Sequence, residues 1–149
     1  MVSGGEFFSR TDLASKGTTR TTSEKIEDDA LASRFVNIGA LPWVATGPGN
    51  ETKVLMHDPE TGMITILTRL APGAGIPFHM HEAMEQTYII EGSLKDDEGE
   101  CTAGNFVIRP KGSKHSPVAP NGCIMMVFFL KPTSELRKKL ENYPGFEKG

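Results

Sequence analysis

Short apolar stretches, broken at close intervals by turn residues, are the feature of this sequence that most limits its fold. Between residues 34 and 130 these stretches alternate with turns such as DPETG at 58–62, APGAG at 71–75, PKGS at 110–113 and APNG at 119–122. Helices would need longer periodic runs, whereas antiparallel hairpins need turns of this kind. The pattern predicts an all-β sandwich or barrel.

The same pattern predicts individual elements. Strands are expected at residues 34–38, 52–57, 63–70, 77–81, 85–91, 106–109 and 123–130. One helix is expected at 134–142, SELRKKLEN, with Ser134 or Thr133 as its N-cap and with Leu136 and Leu140 on one face. We expect this short C-terminal helix to pack on the outside of the β domain.

The composition changes near residue 33. The preceding segment is rich in Ser, Thr and charge and poor in large apolar residues, so it cannot repay the entropy of ordering. The predicted organisation is a flexible N-terminal arm at 1–33, one β domain at 34–132, and a C-terminal helix and tail at 133–149.

Charge and cysteine content exclude several classes of function. The 149 residues carry a formal net charge of −3 with mixed signs, so no nucleic-acid partner is expected. The longest apolar run, at 123–130, is too short to cross a bilayer, and Cys101 and Cys123 are too few for a disulfide framework. A soluble, cytoplasmic protein without a membrane partner is predicted.

The stretch PGAGIPFHMHEAMEQTYIIEG at 72–92 holds two of the four histidines. On a strand, residues i and i+2 face the same side, about 6 to 7 Å apart, so His79 and His81 can bind one ion. Glu85 has the same parity, and His115 follows a turn that could fold it back. One divalent metal ion held by His79, His81, Glu85 and His115 is predicted.

Alternatives remain open for the acidic ligand. A carboxylate near a histidine cluster often orients an imidazole through its other nitrogen instead of binding the metal. Glu85 could act in this way, and an acid from the run Asp96, Asp97 and Glu98 could reach the metal in its place. Glu85, Arg69 and Arg109 are the candidate catalytic residues, because the two arginines flank the strands that carry these residues and could bind a substrate oxyanion. His57 precedes an Asp-Pro turn and is expected at the surface or beside the site.

These residues resemble the two cupin motifs. The first motif, G-x5-HxH-x3-E-x6-G, is matched by Gly73, His79, His81, Glu85 and Gly92. The second, G-x5-PxGxxH, is matched by Gly104, Pro110, Gly112 and His115. Ala119 stands where that motif has an asparagine, a position that does not bind metal in cupins. The resemblance implies a double-stranded β-helix, the RmlC-like cupin jelly-roll barrel.

Outside the motifs, residues 35–130 look like the cupin branch that includes the ChrR cupin-like domain and the acetylacetone-cleaving and 2,4′-dihydroxyacetophenone-cleaving dioxygenases. This resemblance implies an Fe(II) dioxygenase that cleaves a C–C bond in a β-diketone or hydroxyketone, with dioxygen as cosubstrate. Zn, Ni or Mn are alternative metals, since imidazole and carboxylate ligands suit them too. Cupins of one domain commonly pair, so a homodimer is expected.

Two other functions are consistent with the same residues. One is a non-catalytic zinc-binding sensor or regulatory module, like the cupin part of ChrR anti-sigma factors. Those proteins carry a zinc-binding helical domain before the cupin, and residues 1–33 contain no His or Cys, which disfavours sigma-factor binding here. The other is a metal-dependent isomerase, because one fold hosts many chemistries.

Overall fold

The computed structural model describes residues 32–146, so nearly all of the predicted N-terminal arm lies outside the described residues. The described strands are β1 (Val44–Gly47), β2 (Asn50–His57), β3 (Ile64–Leu70), β4 (His79–Met80), β5 (Glu85–Asp96), β6 (Gly99–Thr102), β7 (Phe106–Arg109), β8 (Lys114–His115) and β9 (Cys123–Phe129). A 3-10 turn at Ile38–Ala40 precedes them, and helix α1 (Ser134–Leu140) follows.

The strands form two facing antiparallel layers, as in a jelly roll. The larger sheet runs β1-β2-β3-β9-β5, and β7 pairs with the other edge of β5. Strands β4 and β8 form a separate two-stranded sheet. The predicted all-β cupin barrel with a short C-terminal helix is confirmed.

Strand β5 connects the two layers because it bends at Gly92. Its first half pairs with β9 and β7, and its second half pairs with β6. Gly92 has a φ of 74°, and a Cβ on it would lie 2.0 Å from the carbonyl oxygen of Gly122. Only glycine fits this approach, so the motif glycine at 92 is explained by the turn of β5 from one layer to the other.

Alternating residues of β3 and β9 face the interior. Cross-strand register places Ile64 beside Phe129, Ile66 beside Val127, and Thr68 beside Met125 on neighbouring strands. The apolar members of these rows are all buried. Each buried Val, Ile, Phe or Met side chain contributes roughly 1.5 to 3 kcal/mol. Burial of these side chains fixes the register of the two strands, because a slip by one residue would turn all the buried side chains of one strand outward.

Several strand predictions differ from the structure. Residues 34–37 form no strand and are followed by the 3-10 turn, so the strand predicted at 34–38 is wrong. Strands β1, β6 and β8 were missed: β1 and β6 lack a clear apolar alternation, and β8 has only two residues. The strand predicted at 85–91 extends to Asp96, since Gly92 bends β5 without ending it.

Helix α1 begins where the sequence predicted and ends two residues earlier, at Leu140. Thr133 is the N-cap, and its hydroxyl accepts a hydrogen bond from the Leu136 N–H at 3.2 Å. Leu140 is fully buried and anchors the helix. Among the described residues, no helix combines the length and apolar character that a membrane span requires.

Candidate metal centre

Three histidine side chains converge between the two layers. His79 on β4 is the register partner of His115 on β8, and His81 follows β4 by one residue. The Nε2 atom of His115 lies 3.1 Å from that of His79 and 3.0 Å from that of His81. His81 and His115 are buried, and His79 is partly buried. The three imidazoles therefore point one nitrogen each at a common centre.

The other nitrogen of each imidazole faces an acceptor. Nδ1 of His79 lies 2.8 Å from the carbonyl oxygen of Pro77, Nδ1 of His81 lies 3.2 Å from Glu85 Oε2, and Nδ1 of His115 lies 3.0 Å from Asp96 Oδ2. With each Nδ1–H donating outward, every Nε2 keeps a free lone pair directed at the centre.

This arrangement fits a divalent metal ion. Metal-bound histidines usually donate the other ring N–H to a carboxylate or backbone carbonyl, which fixes their tautomer and orientation. Adjacent ligands around an ion with metal–nitrogen bonds of about 2.1 Å lie roughly 3 Å or slightly more apart, close to the two separations observed here. His79, His81 and His115 form the group of potential metal ligands in the described part of the chain.

Burial keeps His115 neutral, as a ligand must be. Burial lowers its pKa below the usual value, and the hydrogen bond to Asp96 raises it only in part. Burial alone would raise the pKa of Asp96, but the bond from His115, the N–H of Glu98 and the charge of Arg109 together bring it below the usual value. The pair is therefore a neutral imidazole that donates to a charged carboxylate.

The structure places Glu85 beside the ligands, and its carboxylate is not one of the converging groups. Its Oε2 faces Nδ1 of His81, and its Oε1 accepts a hydrogen bond from the Thr87 hydroxyl at 3.1 Å. Glu85 lies on the side of its strand that parity predicts, but β5 belongs to a different sheet from β4. Glu85 therefore meets the outer nitrogen of His81, which is the second of the two roles considered for it.

Of the acidic run at 96–98, only Asp96 contacts a histidine of the cluster. Like Glu85, it contacts an outer nitrogen, Nδ1 of His115. Asp96 and Glu98 both form ion pairs with Arg109, and the Glu98 contact is 2.6 Å long. Asp97 is exposed. Asp96 and Arg109 therefore support His115 without belonging to the three converging nitrogens.

Neither predicted catalytic arginine faces the site directly. Arg109 is buried in its ion pairs with the acidic run, so it acts on His115 only through Asp96. Arg69 points outward from β3, pairs with Glu51 at 2.7 Å and lies over the ring of Trp43. The parity of β3 turns the Arg69 side chain away from the interior, so it does not line the cavity beside the histidines.

His57 is likewise separate from the cluster. Its ring stacks on Phe146 with centroids 4.1 Å apart. His57 therefore lies half-buried beside the C-terminal tail, apart from the three converging histidines.

A cavity of about 100 Å³ adjoins the three histidines. His79, His115 and Glu85 line it at the metal centre, and Ile66, Val127 and Phe129 form apolar walls. Helix α1 covers one side through Thr133, Glu135, Leu136 and Lys139. The wall also includes Thr46, Asn50, Thr52 and Thr68, which the sequence reasoning missed. For Thr52 and Thr68, inward parity on the predicted strands 52–57 and 63–70 was the available signal, whereas Thr46 and Asn50 lie outside the predicted strands.

The sequence of this chain is similar to that of one protein family and one characterised relative. The model of the ChrR Cupin-like domain matches residues 32–132. The anti-sigma-E factor ChrR of Cereibacter sphaeroides is 29% identical over 86 residues, which make up 56% of this chain and 39% of that protein. The chain thus spans well under half the length of this relative.

Two solved structures share the fold. An RmlC-like cupin protein from Ralstonia eutropha has a TM-score of 0.62 at 20% identity, covering 68% of this chain and 70% of that one. An acetylacetone dioxygenase from Acinetobacter johnsonii has a TM-score of 0.60 at 19% identity, covering 66% and 74%. At such identities the likeness concerns the fold alone. Because the family model covers most of its length, the chain belongs to the ChrR cupin-like domain family.

Proposed function

We propose that this protein is an Fe(II)-dependent dioxygenase that cleaves a C–C bond in a β-diketone or hydroxyketone. The observation that carries the proposal is the set of three converging Nε2 atoms whose supporting carboxylates are bonded at the outer nitrogens. The fold shared with an acetylacetone dioxygenase supports it. The proposal includes His79, His81 and His115 as the ligands.

The charge of the ligand set favours this class of substrate. Three neutral imidazoles leave the full charge of a divalent ion uncompensated, whereas a carboxylate ligand would halve it. The enolate of a β-diketone, formed when the diketone loses one proton to solvent, is an anion with two oxygens in chelating positions, so it complements the all-histidine set. The observed position of Glu85, at the outer nitrogen of His81, leaves the charge of the ion undiminished. This position therefore suits an anionic substrate better than a position in which Glu85 binds the metal.

The protein contributes orientation and a dry pocket. A bound ferrous ion would supply a Lewis acid with open positions for substrate and dioxygen. Glu85 and Asp96 hold two imidazoles in place, and the apolar side chains of Ile66, Val127 and Phe129 exclude water beside them. Holding the substrate close to dioxygen in this restricted space accelerates their reaction.

Oxygen consumption tests the proposal. Iron-loaded protein is assayed with a panel of β-diketones and α-hydroxyketones, and rapid uptake with at least one of them is expected. His115→Ala should abolish it, whereas His57→Ala, which removes a histidine outside the cluster, should retain it. No uptake with any compound at full iron occupancy would refute the dioxygenase.

A non-catalytic zinc-binding regulatory module is the second candidate, because the family and the curated relative are those of an anti-sigma factor. The same three imidazoles suit zinc. Copurification of one zinc per chain, with no oxygen uptake after replacement by iron, would favour this function over the first.

We also propose a homodimer that forms through the outer face of the larger sheet. Exposed apolar side chains of β5, β7 and β9 lie together there: Tyr88, Ile90, Phe106, Ile108 and Phe128. Tyr88 is the register partner of Phe106. Among the described strands, β7 pairs only with β5, so its outer edge is open to a second copy.

A further inference from the structure

One wall of the cavity carries a row of buried hydroxyl groups that the metal centre does not use. Thr46 on β1, Thr52 on β2 and Thr68 on β3 all line the cavity and are buried. Thr46 Oγ1 lies 3.2 Å from Thr52 Oγ1, which lies 3.1 Å from Thr68 Oγ1. Three adjacent strands thus contribute one continuous chain of hydroxyls.

The direction of the hydrogen bonds along this row of hydroxyls follows from Thr46. The Thr46 hydroxyl donates to Asn50 Oδ1 at 3.1 Å, which uses its only hydrogen. Thr52 must then donate to Thr46, and Thr68 must donate to Thr52. Every hydroxyl hydrogen is used within the row, so what remains for the cavity is acceptor lone pairs, and Thr68 at the end of the row keeps both of its own.

The row lies at a distance from the metal centre. On β9, Phe129 pairs with Glu85, whereas Met125 pairs with Thr68. Four residues along a strand correspond to about 13 Å. The residues of the intervening row that line the cavity are Ile66 and Val127, which are apolar, and Thr87 beside Val127 does not line it. The cavity wall therefore changes from imidazole to hydrocarbon to hydroxyl.

Sheet stability alone accounts poorly for these hydroxyls. Cross-strand threonine pairs do stabilise sheets, but valine has nearly the same shape and favours strands equally without burying a polar group. A site that binds a hydrogen-bond donor requires free acceptors beside the cavity. The unused lone pairs of these threonine hydroxyls meet that requirement, because a bound donor would satisfy them.

We propose that Thr68, supported by Thr52 and Thr46, selects substrates that carry a hydroxyl group at the end remote from the metal-binding oxygens. The substrate class is then a metal-chelating ketone joined by a short apolar spacer to a terminal hydroxyl, which donates to Thr68 Oγ1. The inference rests on the proposed function for the chelating end, and it adds the chemistry of the opposite end.

Ligand binding to zinc-loaded protein tests this without turnover. Linear β-diketones of three chain lengths are compared by calorimetry, each with a terminal hydroxyl, a terminal methyl or a terminal fluorine, which is similar in size but cannot donate. For at least one length, we expect the hydroxyl compound to bind about tenfold more tightly than both others. Thr68→Val should reduce this ratio to about one while leaving affinity for the methyl compound nearly unchanged.

Thr65→Val is the matched control, because Thr65 lies on the same strand with opposite parity and does not line the cavity. It should preserve the hydroxyl preference. Equal binding of the three end groups at every length by the wild type would overturn the inference, as would a fluorine compound that matches the hydroxyl compound. A preference that survives Thr68→Val would also overturn it. Failure of the proposed function has a different signature, since the iron-loaded protein would then consume no oxygen with any of the diketones, whichever end group binds best.

Discussion

The Oδ2 atom of Asp96 lies 3.0 Å from Nδ1 of His115, although 19 residues separate them in sequence. The contact is possible because β5 bends at Gly92 and carries Asp96 across to the layer that holds β8. Asp96 also pairs with the buried Arg109. The orientation of one candidate ligand thus depends on the bend at the motif residue Gly92 and on Asp96, which neither cupin motif includes.

Asp96→Asn should therefore weaken metal binding without changing its stoichiometry. Removal of the negative charge makes the His115 imidazole a poorer donor to metal, and losses of about 10- to 100-fold in affinity are typical of such partners. Competition with a chromogenic chelator measures the affinity. Asp97→Asn is the matched control, since Asp97 is exposed. This variant should bind zinc with the same affinity as the wild type.

Glu85→Gln distinguishes the two roles considered for Glu85. If Glu85 acts only on the outer nitrogen of His81, the variant should bind one zinc ion per chain with a loss no larger than about 100-fold. X-ray absorption of the zinc protein should then show the same first coordination shell in variant and wild type. Loss of one oxygen scatterer in the variant would instead identify Glu85 as a ligand.

Sequence reasoning predicted the parts of the site that depend on local geometry. His79 and His81 share a face because a strand alternates with period two, and the motif spacing identified His115. The fold class followed from the turns. Both conclusions use only the repeat of the strand and the positions of turn residues, and these are properties of neighbouring residues in the chain.

The parts that failed depend on how distant strands are layered. Glu85 faces His81, but whether it meets the inner or the outer nitrogen depends on the separation of the two layers. Arg69 looked like a flanking cation, yet its parity on β3 directs it to Glu51 and Trp43. Asp96 lies at the end of the β5–β6 hairpin, and its contact with His115 was not foreseen because it depends on the bend of β5 at Gly92.

Helix α1 is tied to the loop that carries His81. Oε1 of Glu82 accepts hydrogen bonds from the backbone N–H of Ser134 at 3.0 Å and from its hydroxyl at 2.8 Å. Glu82→Ala should free the first turn of the helix, which covers the cavity. Hydrogen exchange should accelerate several-fold in the peptide containing 133–137 and remain unchanged in β3. Glu60→Ala, an exposed acid in the β2–β3 turn, is the control. Unchanged exchange in Glu82→Ala would show that the hydrogen bonds of Glu82 do not hold the first turn of the helix.

The buried thiol of Cys123 should make stability fall at high pH. Burial, with a smaller effect of nearby Cys101, raises the pKa of Cys123 to about 11. The folded-state pKa is thus above the unfolded value of 9.0, so this contribution is complete below about pH 9 and is lost as pH approaches 11. It amounts to at most about 3 kcal/mol. Urea unfolding of wild type and Cys123→Ala across this range should show the difference between them shrinking as pH rises. A constant difference would contradict the shift.

The homodimer proposal predicts a specific response to charge on the outer face of the larger sheet. Phe106 on β7 is exposed beside its partner Tyr88 on β5. Phe106→Glu should convert a dimer to a monomer, because a two-fold interface would bury the new charge twice without a partner. Light scattering after gel filtration measures the mass.

Met63→Glu is the control for this prediction. It changes an exposed apolar residue in the β2–β3 turn and should leave the dimer intact. A wild-type monomer would refute the interface outright, and a Phe106→Glu dimer would move it to another face.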